Sequence, residues 1–529
     1  MAAFMPRFFG PRITCRTGLG AAVLGLVAAG LALAADGDAP LADAAMRRDT
    51  VAVRSLLQQK VAVDAAQPDG TTALHWAARH DDLETAQVLI RAGATVTAST
   101  RYGVTPLQLA STNGNAALIA ALLDAGADPN AANPGGETAL MTAARAGGVD
   151  AVRLLLDRGA AVDARESRRG QTALMWAVLE GYPDVIRLLL ERGADIDAQT
   201  NVDIPDGMDA SITRSDGTRA RSAHIGAAGP GVYRARAIPS PSGAMTPLLF
   251  AAREGRLDMA RVLVDAKADL DRPSANGTPP LTVAIINNHI QLAMFLLERG
   301  ANPNIADAYH ERPPLFAAIE MRNLNFPPET PPPHPDAGDP LALIRALLAR
   351  GADPNFRTNT TPVRGFMQLT GSWVNFDGQT PLIRAALAGD VTVMRLLLEH
   401  GADPKLATYE GTTPLMAAAG VNWVIGETYS RSDEEYLAAA TLCLELGNDV
   451  NAVNKQGFRA VHGAANRGFD RMIALLAENG ARLDVEDSQG RTPLTFAEGV
   501  FLALQPPSRK PATIALLEKL LADRRAPQP

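Results

Sequence analysis

Cysteine and aromatic residues are scarce in this sequence. Two of its 529 residues are cysteines, and phenylalanine, tryptophan and tyrosine together make up 5%. Cys15 lies in the N-terminal segment, and the remaining thiol, Cys443, cannot form an internal disulfide, which excludes a disulfide-stapled fold. Cys443 stands in the apolar helical pattern LAAATLCLELG, which predicts a buried small side chain rather than a reactive thiol. The abundance of alanine, leucine and glycine favours helices packed through small side chains over a sheet-rich enzyme.

Sequence signatures of catalysis and metal binding are also lacking. The eight histidines are scattered without an i,i+4 pair or cysteine partners, which argues against a metal site. There is no G-x-S-x-G, H-E-x-x-H or C-x-x-C-H, and the glycine-rich GAAGPG at 226–231 lacks the Lys-Ser/Thr of a phosphate-binding loop. We therefore predict a protein that is not an enzyme and has no metal or cofactor. An enzymatic site, as the alternative, would have to be built on the segment 201–242.

The chain as a whole has no excess of positive charge. The formal net charge of −7 and the pI of about 5.7 argue against a general nucleic-acid binder. Three arginines (Arg7, Arg12 and Arg16) precede the uncharged run TGLGAAVLGLVAAGLALAA, which ends in Ala-Leu-Ala at 32–34. This order predicts a secretory signal peptide over residues 1–34, and hence a periplasmic or secreted protein. The run is about long enough to span a bilayer, so an uncleaved membrane anchor is the alternative.

Variants of one phrase, ERGADIDA at 191–198, return along the chain. Eleven copies occur, and successive copies are most often 33 residues apart. A self-similar period of this length indicates a repeat architecture, in which each unit covers the apolar face of its neighbour. The helix-ending position of the eleven copies falls at Lys60, Gly93, Gly126, Gly159, Gly193, Lys267, Gly300, Gly351, Gly401, Gly447 and Gly480.

The stretch GQTALMWAVLEGYPDVIRLLLERGADIDA, residues 170–198, shows the plan of one unit. Thr172 stands at a helix N-cap position, where its hydroxyl can accept from a free backbone N–H. In several other units a proline follows this threonine at the first helical position, as in Thr105-Pro106. A short helix, a turn and a second helix follow, and Gly193 ends the second helix in the left-handed conformation. The repeated phrase therefore has a structural role rather than a catalytic one.

These residues resemble the ankyrin repeat, whose T-P-L-H-x-A phrase appears as TALHWAA at 72–78 and loosely as RAVHGAA at 459–465. The resemblance covers about residues 38–522. It implies a mainly α ankyrin-repeat solenoid of about eleven helix–turn–helix units with short β-hairpin fingers, stacked as a curved superhelix. It also implies that His75 and His462 make structural hydrogen bonds and that Trp76 and Trp176 pack between helix layers.

Two units depart from this pattern at the end of the second helix. Lys60 and Lys267 replace the usual glycine. A side chain in the left-handed conformation costs about 1 kcal/mol. We therefore expect these two junctions to be weaker than the others or to end the helix differently.

Four insertions interrupt the period and divide the chain into blocks. Repeats occupy 35–200, 243–358 and 378–522, and 523–529 form a tail. Two insertions stand where a finger is expected. They are the Arg/Gly/Pro-rich segment 201–242 and the segment 359–377, which carries aromatic residues. Insertions 326–338, rich in proline, and 420–436 lie between the two helices of a unit. We expect the two kinds to emerge on opposite edges of the solenoid. They either mark a binding face or are tolerated solvated loops, and the sequence leaves both alternatives open.

Exposed arginines, tyrosines and their polar neighbours are the candidate partner-binding residues. They lie at the ends of first helices, at finger tips and in the finger insertions, where a related ankyrin protein is expected to hold its partner. Tyrosine and arginine are typical interface anchors. The candidates are Arg79, His80, Arg101, Tyr102, Arg168, Arg169, Arg219, Arg221, Tyr233, Arg234, Arg236, Tyr309, His310, Trp373, Tyr409 and Glu410.

The function favoured by the sequence is a non-enzymatic, exported scaffold that binds a partner protein through its concave finger face and insertions. Phrases such as GETALMTAARAG and TPLLFAAREG resemble those of exported bacterial multi-ankyrin-repeat proteins. The alternatives are a secreted effector, an accessory protein of a periplasmic enzyme, and a membrane-anchored scaffold. We expect a monomer that binds no nucleic acid and that spans no membrane unless the leader is uncleaved.

Overall fold

The computed structural model describes residues 39–204, 241–308, 311–323, 338–358, 374, 377–422, 431–502 and 506–525. The predicted signal peptide, the tail after 525 and most of the four insertions lie outside these residues. Helices dominate the described part, and they come in consecutive pairs along the chain.

The described residues contain twelve helix pairs, which the eleven copies of the repeated phrase join. From α3 on, the first helix of each pair follows a finger, and every second helix except α24 ends at a copy of the phrase. In chain order the helices are α1 Pro40–Met46, α2 Thr50–Gln58, α3 Ala73–Arg79, α4 Leu83–Arg91, α5 Pro106–Asn113, α6 Ala116–Asp124, α7 Ala139–Ala146, α8 Val149–Asp157, α9 Ala173–Glu180, α10 Pro183–Glu191, α11 Pro247–Glu254, α12 Leu257–Asp265, α13 Pro280–Ile286, α14 Ile290–Glu298, α15 Pro314–Arg322, α16 Pro340–Ala349, α17 Pro381–Leu387, α18 Val391–Glu399, α19 Pro414–Ala418, α20 Asp433–Glu445, α21 Ala460–Arg467, α22 Asp470–Glu478, α23 Pro493–Gly499 and α24 Pro511–Arg525.

The first helices start as the sequence predicts. Thr105 accepts a hydrogen bond from the backbone N–H of Gln108 at 3.3 Å, and Pro106 fills the first helical position. Thr246 does the same for Leu249 at 3.1 Å. The threonine hydroxyl satisfies one of the N–H groups that a helix start leaves free, and the fixed φ of proline suits the first turn.

The helices stack in two parallel rows. Each first helix packs on the first helices before and after it, as α3 packs on α1 and α5, and each second helix packs on its counterparts. This order continues across the insertions, since α15 packs on α17 and α17 on α19. A single apolar core, from Leu41 to Leu517, runs between the two rows. Stability therefore comes from contacts between neighbouring units, which confirms the predicted solenoid.

Asparagines and aspartates tie the loops after the second helices together. Asn130 accepts from the backbone N–H of Ala161 at 2.7 Å and donates from Nδ2 to the carbonyl of Gly159 at 2.9 Å. Where this position holds aspartate, as in Asp163, a single bond to the next unit remains, at 2.9 Å from the N–H of Asp195. Asn304, Asn355 and Asn451 repeat the double bond.

Backbone hydrogen bonds also link successive finger tips. The N–H of Arg101 donates to the carbonyl of Asp69 at 2.8 Å, and the N–H of Tyr409 donates to that of Asp377 at 2.8 Å. The fingers themselves are mostly tight turns. In the described residues the paired strands are β1 Val202–Asp203 and β2 Ser242–Gly243, which are antiparallel and close the base of the first insertion.

The two lysines that replace glycine adopt the glycine conformation. The φ of Lys60 is 59° and that of Lys267 is 72°, compared with 86° for Gly193. Neighbouring units hold these junctions in the standard geometry, so the helices do not end differently there. The backbone cost of a non-glycine residue is still present.

Candidate functional site

A row of aromatic side chains lies on the first helices of the N-terminal half. Trp76 of α3, Trp176 of α9 and Phe250 of α11 occupy the same position in their units, two residues after a leucine that recurs in most first helices of the chain. Phe250 is buried, whereas Trp76 and Trp176 are only half-buried against the core. Both tryptophans thus pack against the core, as the resemblance implies, but neither is fully buried.

An arginine covers each of these three rings. The guanidinium carbon of Arg79 lies 5.7 Å from the Trp76 ring centre, that of Arg145 5.3 Å from Trp176, and that of Arg253 5.0 Å from Phe250. These distances permit a cation–π attraction. We call the six residues the Arg–aromatic row; it contains Trp76, Arg79, Arg145, Trp176, Phe250 and Arg253.

The two tryptophans differ in their hydrogen bonding. The indole N–H of Trp76 donates to Gln67 at 2.9 Å, and Gln67 in turn donates to Asp43 of α1 at 2.7 Å. At the position equivalent to Gln67, nine residues before Trp176, the chain has Ser167. The buried Nε1 of Trp176 finds no acceptor in the described part of the chain.

The predicted candidates at the end of α3 have different environments. Arg79 is exposed and belongs to the Arg–aromatic row. The ring of His80 stacks on Trp76 with the ring centres 5.6 Å apart, and its Nε2 lies 3.0 Å from the carbonyl oxygen of Met46. His80 therefore joins two units, and less of its ring is available to a partner than the sequence indicated.

The predicted finger-tip residues are placed separately along the finger edge. Tyr102 is 60% exposed, and Arg101 lies over its ring at 4.8 Å. The side chains of the neighbouring candidates Arg168 and Arg169 are exposed, while their backbone N–H groups donate to the buried carboxylate of Glu166 at 2.7 and 2.6 Å.

The last pair of tip candidates takes part in packing between units. Arg357 lies 4.4 Å from the ring centre of Tyr409, which also packs against Gly378. Glu410, which is partly buried, forms an ion pair with the exposed Lys455 at 3.3 Å. Eight further candidates lie outside the described residues, namely Arg219, Arg221, Tyr233, Arg234, Arg236, Tyr309, His310 and Trp373.

The central units contain a buried charge cluster that the sequence did not indicate. Asp390, which is 1% exposed, caps α18 by accepting from the N–H of Val393 at 3.2 Å. Its other oxygen accepts from Arg322 at 2.8 Å and from Arg431 at 3.0 Å. Arg431 also pairs with Glu435 at 3.0 Å. One carboxylate thus connects three consecutive units, and charge-assisted bonds of this kind are strong when water is excluded.

Described residues in or next to three insertions contact one another at these central units. Asn323, at the start of the proline-rich insertion, accepts from Arg431, at the end of the insertion 420–436, at 2.9 Å. Val374, a described residue of the aromatic finger insertion, is fully buried in the core and donates its N–H to Asn422 at 3.4 Å. At this described residue the finger insertion contacts the base of the insertion 420–436. The expectation that the two kinds of insertion emerge on opposite edges stays a prediction, because most of their residues lie outside the described part of the chain.

The buried titratable groups serve the framework. Nδ1 of His75 lies 2.8 Å from the Thr72 hydroxyl, and its Nε2 lies 3.0 Å from the carbonyl oxygen of Val104 in the next finger. Burial lowers the pKa of His75, and burial lowers the pKa of His462 to about 4. Burial also raises the pKa of the Cys443 thiol to about 12. A thiol with such a pKa stays protonated and unreactive, as the sequence predicted.

Two surveys of the described residues gave negative results. No group of three or more histidine, cysteine, aspartate or glutamate side chains in those ranges is arranged to hold a metal ion. Among the helices of the same ranges, none combines the length and the apolar character needed to cross a membrane.

Comparison with known proteins agrees with this architecture. The family described as ankyrin repeats (3 copies) matches residues 21–100, 41–133, 107–200, 233–307 and 336–424, which together exceed half of the chain. Human "Ankyrin repeat and SOCS box protein 16" is 37% identical over 251 residues, which are 47% of each chain. A "Putative ankyrin repeat-containing protein" of Treponema pallidum (strain Nichols) is 36% identical over 153 residues, 29% of this chain and 40% of the relative.

A third relative has an enzyme's name. The zebrafish (Danio rerio) "Putative palmitoyltransferase ZDHHC13" is 30% identical over 254 residues, which are 48% of this chain and 32% of that protein. The chain spans about half or less of the length of these three relatives. The similarity therefore concerns the ankyrin repeats alone, and the activities of the full-length relatives are not assigned to this chain.

Proposed function

The chain belongs to the ankyrin-repeat family, and we propose that it is a non-enzymatic scaffold that holds a partner protein on the Arg–aromatic row. The supporting observation is the row itself. Trp76 and Trp176 keep an exposed edge, and an arginine lies over each of them. Tryptophan and arginine provide much of the binding energy at protein interfaces, because they combine large apolar area with directed hydrogen bonds.

The charge of the row points to an acidic partner segment. Arg145 pairs with Glu137 at 3.1 Å and Arg253 with Glu254 at 2.8 Å, but both ion pairs are partly exposed, so they hold the arginines weakly. Arg79 has no ion pair within the described ranges. An incoming carboxylate can therefore bind these guanidinium groups through bidentate hydrogen bonds.

Charge reversal tests this assignment. We expect the double variant Arg145→Glu, Arg253→Glu to capture the partner from a periplasmic extract or secretion medium at least tenfold less efficiently, since each side chain is a direct contact. Arg187→Glu is the matched control, because Arg187 lies on α10, in the second-helix row, and is also an exposed arginine in an ion pair. Equal capture by the double variant and the wild type would remove the Arg–aromatic row from the binding surface.

We further propose that the protein is exported. The basic N-terminus followed by an apolar run and Ala-Leu-Ala supports a cleaved leader. N-terminal sequencing of the mature protein tests this, with a start just after Ala34 expected. An intact N-terminus in a membrane fraction would favour the anchored alternative instead.

The Arg-rich first insertion is a second contact region in this proposal. Because β1 and β2 pair at its base, residues 205–240 can be removed without disturbing the finger. We expect this deletion to keep the helical circular dichroism signal and to bind the partner less tightly. Unchanged binding would assign the insertion to a tolerated loop, and loss of the helical signal would assign it to the framework.

A further inference from the structure

Asparagine followed by glycine occurs three times in the chain, at Asn113, Asn276 and Asn479. The first and the last stand at the ends of α5 and α22, whereas Asn276 lies in the finger before α13. All three glycines have a positive φ, and the N–H of each donates to the carbonyl three residues before it, at 3.3, 2.8 and 3.1 Å in chain order. The backbone of the three pairs is therefore alike, and the asparagine side chain distinguishes them.

The side-chain oxygen of Asn276 collects three hydrogen-bond donors. Oδ1 accepts from the hydroxyl of Ser274 at 2.6 Å, from the hydroxyl of Thr278 at 2.8 Å and from the N–H of Thr278 at 3.3 Å. The Ser274 hydroxyl is also 3.2 Å from the carbonyl of Thr278, so Oδ1 is its closer acceptor. Donors of this kind stabilise negative charge that develops on an oxygen, and they make the attached carbon easier to attack.

The same hydrogen bonds place the carboxamide of Asn276 beside the next peptide. A side chain that accepts from the N–H two residues on folds back over the backbone between them. The nitrogen of Gly277 lies within the ring that this hydrogen bond closes, so the carboxamide carbon is held close to it. Gly277 has no side chain that would obstruct the approach. Both residues are partly exposed, so water and hydroxide reach them.

The two other asparagines are held in a different way. Nδ2 of Asn113 donates to the carbonyls of Ala78 at 3.0 Å and Arg79 at 3.2 Å, in the preceding unit. Nδ2 of Asn479 donates to the carbonyl of Leu475 at 2.8 Å. Both side chains are thus tied to carbonyls that precede them, and these bonds must break before the carboxamide can approach the following glycine. Within the described ranges, Nδ2 of Asn276 forms no hydrogen bond.

We propose that Asn276 is a self-modification site, which converts to aspartate and isoaspartate through a cyclic imide with Gly277. The nitrogen of Gly277 loses its proton to hydroxide and attacks the carboxamide carbon, and the new C–N bond closes the ring. The bond from that carbon to Nδ2 then breaks, and this nitrogen takes a proton from water and leaves as ammonia. Water opens the imide at either carbonyl, which gives aspartate or isoaspartate. The reaction consumes only water.

Isoaspartate at this position breaks a tie between successive fingers. The carbonyl of Asn276 accepts from the N–H of Ala308 at 3.1 Å, and a Cβ added to Gly277 would lie 2.3 Å from that of Ala308. In isoaspartate this carbonyl becomes part of a free carboxylate, and the chain is longer by a methylene group. The close contact with Ala308 leaves no room for the longer chain. The reaction therefore loosens the junction between the units of α13 and α15.

Peptide mapping by mass spectrometry, after incubation of the full-length chain at mildly alkaline pH, tests the site. Electron-transfer fragmentation distinguishes aspartate from isoaspartate. We expect Asn276 to convert about tenfold faster than Asn113 and Asn479, because its carboxamide is already placed beside the nitrogen. In concentrated urea the folded surroundings are lost and each asparagine still precedes a glycine, so the three rates should agree within about twofold.

Substitutions of the two hydroxyl donors test the geometry. Thr278→Val keeps the shape of the side chain but removes one donor to Oδ1, and it should slow the conversion of Asn276 by about three- to tenfold. Ser274→Ala removes the other hydroxyl and serves if the valine variant does not fold. Thr112→Val is the matched control, because the hydroxyl of Thr112 donates to the carbonyl of Gln108 on α5. It should leave the rate at Asn276 unchanged.

Three results would overturn the proposal. The first is a rate at Asn276 in the folded chain no higher than at Asn113 and Asn479. The second is aspartate as the sole product, which direct hydrolysis of the carboxamide gives. The third is a wild-type rate in both Thr278→Val and Ser274→Ala. Because the measurement needs no partner protein, its failure is independent of the proposed scaffold function.

Discussion

Arg431 donates from Nη2 to the side-chain oxygen of Asn323 at 2.9 Å, across 108 residues of sequence. The two residues border different insertions. Arg431 also binds Asp390, as does Arg322, the residue before Asn323. Insertions that look independent along the chain therefore share one anchoring cluster. At the central units every residue of α17 and α19 is buried, whereas Trp76 and Trp176 of the N-terminal half are only half-buried.

Replacing Asp390 by asparagine should destabilise the central units. Asparagine keeps the cap on α18 but removes the charge that Arg322 and Arg431 share, and breaking a buried ion pair in this way costs about 3–5 kcal/mol. Hydrogen exchange of α15 to α20 during urea titration is the measurement. The control is Asp184→Asn, which breaks an exposed ion pair with Arg187 and should cost at most about 1 kcal/mol. Similar losses for the two variants would contradict a buried network.

The asparagine ties between units should be separable into two hydrogen bonds. Asn355 accepts from the N–H of Asp403 at 2.7 Å and donates to the carbonyl of Gly401 at 2.9 Å. Asn355→Asp keeps the first bond and should cost about 1 kcal/mol, whereas Asn355→Ala loses both and should cost about 2 kcal/mol. Urea unfolding followed by circular dichroism gives the difference. Equal midpoints for the aspartate and alanine variants would show that the donated bond contributes nothing.

Stability should fall on mild acidification, partly because of His462. Burial holds the folded-state pKa of His462 at about 4, below its ordinary value of 6.5. The neutral ring therefore contributes stability above pH 6.5, and this contribution is lost as the pH falls through about 4, by roughly 3 kcal/mol in total. His462→Gln should flatten the dependence of the free energy of unfolding on pH over this window. A slope identical to that of the wild type would argue against a buried neutral histidine.

The lysine junctions offer a stabilising substitution. Lys267 has a φ of 72°, and Lys267→Gly should raise the free energy of unfolding by about 1 kcal/mol because glycine adopts this conformation without steric cost. The reverse control is Gly193→Ala, where an added Cβ meets no atom within 4 Å. It should lower the free energy of unfolding by about 1 kcal/mol through the backbone alone. Thermal unfolding of both variants measures the two changes in stability. A destabilised Lys267→Gly would point to an unrecognised role of the lysine side chain.

The repeating architecture could be predicted from local rules. The threonine caps, the prolines after them and the glycine at each helix end are residue preferences that act within one turn of backbone, and the structure confirms them at Thr105 and Gly193. The buried Cys443 and the framework role of His75 followed from the same register. The candidate site was predicted only in part. Arg79 and Tyr102 are exposed as expected, but the half-exposed tryptophans were assigned to the core.

The sequence by itself determined the unit, its period and its helix boundaries, because these depend on neighbours a few residues apart. Tertiary structure decided which side chains meet across units. Asp390 stands in an ordinary repeat position and Arg431 in an insertion, and no local pattern distinguishes either from a solvated charge. Their burial and pairing arise from the convergence of segments far apart in sequence, and the free energy of a charge depends on the water and counter-charges around it rather than on its place in the repeat.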